Sequence, residues 1–185
     1  MNLSFYLVKD SSMAEEYPWQ EHPWQKQLAD ILGYEDTDLV WVHEPIGCTG
    51  KSRWAVRQHM DGNALYYLVT GRNGSTSVDI KYFVRFLHYQ DSKEGWDGRY
   101  LLLDIPRCSF MDRKFDPYSI VNLATQQEHQ RKDGRREKFK LKNKPKVCVL
   151  ANKPPDVRKL TTDRVKVYRI TDLTLQKEEE SVTGG

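Results

Sequence analysis

Residues 44–52, Glu44-Pro45-Ile46-Gly47-Cys48-Thr49-Gly50-Lys51-Ser52, decide how the chain is read. They follow a short apolar run, DLVWVH at 38–43, and open a stretch with helical features, KSRWAVRQHMDG at 51–62. Strand, glycine-bearing loop and helix start in that order form a phosphate cradle. Gly47 and Gly50 let the backbone turn its N–H groups inward, and the helix N-terminus adds positive potential. Pro45, Ile46, Gly47, Cys48, Thr49 and Gly50 would wrap the phosphates. Lys51 would reach the β and γ phosphates, and the Ser52 hydroxyl would hold Mg2+. The usual first glycine of this pattern falls at Pro45, and a register one residue longer places Glu44 there. A carboxylate beside a triphosphate is unfavourable unless it points away, so Glu44 bears directly on nucleotide affinity.

Outward from the loop, the chain alternates. PWQKQLADILG at 23–33 is predicted to be a helix, with Pro23 in its first turn and Trp24, Leu28, Ile31 and Leu32 on one face. Apolar runs at 39–43, 65–69, 100–104 and 147–151 are predicted as strands covered on both faces. Helices are expected around 51–62 and 117–130, residues 80–87 fit a helix or a strand with helix preferred, and RVKVYRI at 164–170 alternates like a strand with one wet face. This order predicts an α/β fold of the P-loop NTPase type, with a mainly parallel central sheet flanked by helices. One domain is expected over 23–172, preceded by an N-terminal segment at 1–22 and followed by a flexible C-terminal tail at 173–185.

Asp104 ends the strand LLLD and can hold Mg2+, directly or through water. Ile105 follows it, so the adjacent second acid that orients water in many ATPases is absent. Asn152 stands at the end of VCVLAN, before Lys153-Pro154-Pro155. Its amide could sense the γ-phosphate or the attacking water, and it also fits an ordinary strand-end turn.

The chain has 185 residues, 38% hydrophobic and 30% charged, with net charge +3. Mean hydropathy is −0.74, and no apolar run approaches the about 18 residues that span a bilayer. A transmembrane protein is therefore not expected, and Met1 to Leu7 carry no secretory pattern. The three cysteines, Cys48, Cys108 and Cys148, fit no zinc spacing and are expected as reduced thiols in an intracellular protein. Charge is concentrated in RKDGRREKFKLKNKPK at 131–146, which carries nine basic and two acidic residues. Such a run suits contact with a polyanion, or simply a solvated loop.

Taken together, four segments resemble the superfamily 3 helicase domain of replication-associated (Rep) proteins from small circular single-stranded DNA viruses, most nearly the nanovirus and alphasatellite branch. They are Pro-Trp-Gln at 23–25, EPIGCTGKS at 44–52, LLLDIPRC at 101–108 and KVCVLANKPPD at 146–156, the last followed by Asp163-Arg164-Val165-Lys166. The resemblance implies an AAA+-like core and a hexameric ring with ATP between subunits and single-stranded DNA, or RNA in some relatives, in the pore. It implies phosphate and Mg2+ binding by Lys51, Ser52 and Asp104, a sensor role for Asn152 and an arginine supplied to a neighbour by Arg164. It further implies a basic hairpin in which Lys142 contacts DNA, with Lys140 and Lys144 beside it, and a location in the host nucleus. Members of the family normally carry an N-terminal HUH endonuclease. Here His22, His43, His59, His88 and His129 never form H-x-H, so nicking is not expected. The alternatives are an RNA helicase, a P-loop kinase, or a non-catalytic nucleotide- and nucleic-acid-binding module.

Overall fold

The computed structural model describes residues 20–34, 37–70, 76–93, 100–111, 115–126, 128–130, 136–138 and 141–178. Most of the expected N-terminal segment, residues 131–135, Lys140 and the end of the tail lie outside the described residues. The elements in chain order are α1 (Pro23–Tyr34), β1 (Leu39–His43), α2 (Lys51–Met60), β2 (Ala64–Leu68), α3 (Thr76–Asp91), β3 (Tyr100–Ile105), α4 (Pro117–Gln126), β4 (Glu128–Gln130), β5 (Arg136–Lys138), β6 (Val147–Ala151), β7 (Val165–Thr171) and β8 (Thr174–Lys177).

Six strands form one sheet in the order β2-β3-β6-β1-β7-β8. All neighbours are parallel except β7 and β8. β1 and β6 are buried at every residue, as strands with helices on both faces must be. Alternation along the strands divides the core into two layers. Leu39, Trp41, Leu101, Leu103, Val147 and Val149 pack towards α3 and α4 with Phe83, Leu87, Ile120 and Leu123. Val40, Val42, Leu102, Cys148 and Leu150 pack on the other face against Trp24, Leu28 and Leu32 of α1 and Trp54 of α2. Truncating one such core leucine to alanine costs about 2–5 kcal/mol. The α/β P-loop NTPase fold read from the alternation is therefore the observed one.

Register places the functional loops. His43 pairs with Ala151, and Ile105 also pairs with Ala151. The segments after β1, β3 and β6 consequently leave the sheet side by side at its carboxyl edge, where ligands of open parallel sheets bind.

Two expectations need correction. The helix predicted to run to residue 130 stops at Gln126, and 128–130 instead pair antiparallel with 136–138. Beyond Thr125 the sequence QQEHQ has no apolar residue to bury, and the Gln126 amide donates to the Thr161 carbonyl at 3.0 Å. Nor is 173–185 a tail throughout, because 174–177 form the edge strand β8. Asp172 and Leu173 take positive φ of 49° and 59°, the tight hairpin geometry that glycine or asparagine usually signals. Leu175 packs against the α1 layer, and its N–H donates to Gln27 Oε1 at 2.8 Å.

Candidate functional site

The loop 44–50 turns through left-handed φ at Gly47 (96°), Cys48 (71°) and Gly50 (79°). A side chain at positive φ is strained by about 1–2 kcal/mol, so Cys48 holds the loop at some cost. Gly50 is the N-cap of α2 and gives it no side-chain cap. This ten-residue helix therefore begins at the loop, where its positive end lies.

Lys51 is buried in the first turn of α2. The Ser52 hydroxyl donates to the Asp104 carboxylate across the carboxyl edge. Asp104 is itself buried and also accepts from Tyr66 Oη at 3.2 Å. Burial pushes the Asp104 carboxyl above its ordinary pKa, and the Ser52 and Tyr66 hydroxyls and the Lys51 charge offset this only in part. Burial also pushes the Tyr66 phenol up, reinforced by the Asp104 charge and hydrogen bond, so Tyr66 remains a donor.

Asn152 follows β6 next to the loop. A Cβ built on Gly47 would stand 3.9 Å from Asn152 Nδ2. The segment after Asn152 is pinned: Trp41 Nε1 donates to the Lys153 carbonyl at 2.9 Å, and the Asp156 N–H donates to Tyr118 Oη at 2.7 Å. Lys51, Ser52, Asp104 and Asn152, distant in sequence, are therefore brought together.

Glu44 does not point away from the loop. It is buried, and Oε1 accepts the Gly47 N–H at 2.6 Å. Oε2 accepts from Thr49 Oγ1 at 3.1 Å and from Lys51 Nζ at 3.0 Å. Burial alone would raise its pKa. The Lys51 hydrogen bond and charge, with the Gly47 N–H and Thr49 hydroxyl, outweigh it and hold the carboxyl below the ordinary value. The turn presents inward-facing donors, and a buried side chain finds its lowest energy by meeting them.

Further residues support the loop without having been assigned a role from sequence. Trp24 Nε1 donates to the Thr49 carbonyl at 3.3 Å. Gln25 Oε1 caps α1 by accepting the His22 N–H at 2.8 Å, and its buried Nε2 lies 3.9 Å from where a Gly50 Cβ would be. Arg107, three residues after Asp104, donates from Nη2 to the Pro45 carbonyl at 2.7 Å. The Pro-Trp-Gln and Asp-Ile-Pro-Arg segments were visible as motifs, but their contacts to the loop required the fold. Nothing in the sequence marks Tyr66, which meets Asp104 through strand pairing.

The other predicted residues lie apart. Arg164 precedes β7 at the amino edge of the sheet, with Nη1 3.8 Å from Asp38 Oδ1. The five residues of β1 separate it from the loop of its own chain by about 15 Å. Arg158 is exposed and paired with Asp156 at 2.9 Å, and Arg169 is exposed on β7. The Lys142 side chain is exposed, while its N–H donates to the Asp91 carboxylate at 3.0 Å. Lys144 Nζ lies 3.9 Å from Asp38 Oδ1. Both lysines sit on the segment that joins the β4–β5 hairpin to β6.

Among the described residues, no three His, Cys, Asp or Glu side chains cluster as a metal site. Mg2+ held together with phosphate needs only one or two carboxylates, which a hydrogen-bonded Ser52–Asp104 pair fits. Among the described residues, no helix is long and apolar enough to cross a membrane.

No protein-family profile matches the chain. Its sequence is similar to Para-Rep C9 of the Faba bean necrotic yellows C9 alphasatellite, 26% identical over 87% of this chain and 53% of that protein. It is similar to Para-Rep C6 of the Subterranean clover stunt C6 alphasatellite, 26% identical over 90% of this chain and 54% of that protein. Para-Rep C1 of the Faba bean necrotic yellows C1 alphasatellite is 32% identical over 55% of this chain and 32% of that protein. The chain spans about half the length, or less, of these relatives, and over most of its own length it is similar to proteins named Para-Rep from alphasatellites.

Proposed function

We propose that the chain is the ATP-dependent motor module of a viral-type replication protein, a superfamily 3 helicase or translocase working on single-stranded DNA. The convergence of Lys51, Ser52, Asp104 and Asn152 on one glycine loop at the carboxyl edge carries this reading, and similarity to the Para-Rep proteins supports its place in replication. Lys51 and the loop N–H groups would hold the β and γ phosphates, and Ser52 and Asp104 would hold Mg2+. The metal neutralises charge on the phosphates when bound. Asn152 would orient the attacking water or contact the γ-phosphate. Such catalysis is positioning and electrostatic stabilisation with no covalent enzyme intermediate.

Arg164 lies at the opposite edge of the sheet from its own loop, and in this reading it is supplied to a neighbouring subunit. The reading therefore includes self-association, with a hexameric ring expected, and strand passage over the basic hairpin and Lys142, Lys140 and Lys144. A nuclear location in the host belongs to the same proposal. The test is ATP turnover with and without single-stranded DNA or RNA, with a mass measurement of the assembly. Turnover stimulated by DNA in a ring-sized assembly supports the motor. Phosphate transfer to a nucleoside would support a kinase instead. Glu44 in the loop favours a second reading, a nucleotide- and nucleic-acid-binding module without hydrolysis. Equal, near-zero turnover in the parent and Lys51→Ala would select it.

A further inference from the structure

We propose that Glu44 is a built-in occupant of the phosphate cradle, a carboxylate that a nucleotide must displace in order to bind. The inference rests on the nucleotide-binding reading and adds a form of regulation to it. Three donors of the loop are engaged by this one side chain: the Gly47 N–H at 2.6 Å, Thr49 Oγ1 at 3.1 Å and Lys51 Nζ at 3.0 Å. Backbone N–H, hydroxyl and ammonium are the donor types a loop of this class offers to phosphate oxygens. The Glu44–Lys51 pair is almost closed to solvent, with side-chain exposures of 5% and 8%.

Charge explains both why the carboxylate sits there and why it must leave. A buried, unpaired ammonium is costly, and Glu44 neutralises Lys51 while no other anion is present. A triphosphate would bring a larger negative charge to the same ammonium. Two anions crowded at one buried cation repel each other. The Glu44 backbone does not need to move, because its N–H continues the sheet ladder to the Ala151 carbonyl at 3.2 Å. Rotation of the side chain alone would free the cradle. Nucleotide affinity is then set by an exchange of anions on Lys51, and the chain rests in a closed, low-affinity state. The competing explanation is that Glu44 braces the loop and nucleotide binds alongside it.

Titration calorimetry of the full chain with MgATP separates the two. Glu44→Gln keeps the size of the side chain and removes its charge, and it is expected to bind at least tenfold more tightly than the parent. Glu44→Asp keeps the charge but shortens the reach to the three donors, and an intermediate gain is expected. It also guards the test if Glu44→Gln folds poorly in a thermal melt. Lys51→Ala, alone or combined with Glu44→Gln, should not bind. Equal or weaker binding by both Glu44 variants, with a parent that binds, overturns the displacement proposal and leaves the nucleotide reading intact. Binding by Glu44→Gln where the parent shows none supports the proposal in its strongest form. No binding by the parent or by either folded Glu44 variant overturns both readings together.

Discussion

At the carboxyl edge of the sheet a cation and an anion meet at 3.0 Å with almost no solvent, in the Lys51–Glu44 pair. At the amino edge Lys144 and Arg164 approach Asp38 only to 3.9 and 3.8 Å, and their side chains are about half exposed, at 51% and 49%. The first arrangement is surrounded by contacts that fix one geometry: Trp24 on Thr49, Arg107 on Pro45, and Tyr66 and Ser52 on Asp104. The second is a loose charge cluster that water and salt screen. Chemistry on a small anion needs fixed donors, because misplacement is costly. Contact with a long polyanion tolerates mobile lysines, because its sequence-independent affinity comes from releasing counterions. The two edges of one sheet thus differ in how tightly they hold their charges.

The sharpest way to break this contrast is at Trp24. Trp24→Ala removes a fully buried ring that packs on Trp54 and supports the loop. It should cost about 3–5 kcal/mol in denaturant unfolding, and loss of stability without loss of nucleotide affinity would deny that Trp24 orders the loop. Next in size, Lys51→Ala should lower MgATP turnover at least about 100-fold, and a smaller loss in a steady-state assay would remove Lys51 from the phosphate site. Asp104→Asn should lose most Mg2+-dependent turnover, about tenfold or more, while Tyr66→Phe, which removes one hydrogen bond to Asp104, should lose only a few-fold.

Acid titration sharpens the same contrast. The Glu44 carboxyl is held below its ordinary value of 4.5 in the folded chain. The stability it contributes is fully present above that value and is lost as pH falls through the lowered one. Glu44→Gln should therefore flatten the acid limb of a melting-temperature profile below pH 4.5. An unchanged limb would mean that the pair does not form in solution. The smallest effects belong to the amino edge and hairpin base. Lys142→Ala and Lys144→Ala should each weaken single-stranded DNA binding a few-fold and reduce the salt slope by about 0.7. Equal binding at low and high salt would exclude these lysines as the contact.

Much of this architecture was legible in the order of residues. β1, β3 and β6 lie between two helical layers, so they must be apolar on both faces, and that leaves unbroken runs such as LVWV and VCVL. The turn at Asp172-Leu173 was illegible because it adopts a left-handed conformation without the glycine that announces one. The short strand β4 is expected as the end of a helix because a polar strand has no hydrophobic period to betray it. The direction of Glu44 was not legible either, because it is set by the donors that the folded loop places around it.

Sequence by itself determined the alternation of helices and strands, the glycine loop before Lys51, and the acid and amide that close two strands, because periodicity and strand-end chemistry are local properties. Only the tertiary structure decided that Asp104, Asn152, Tyr66 and Arg107 converge on that loop and that Glu44 lies inside it. Strand order and register bring together residues tens of positions apart, and a side chain turns towards whichever donors that packing places within its reach.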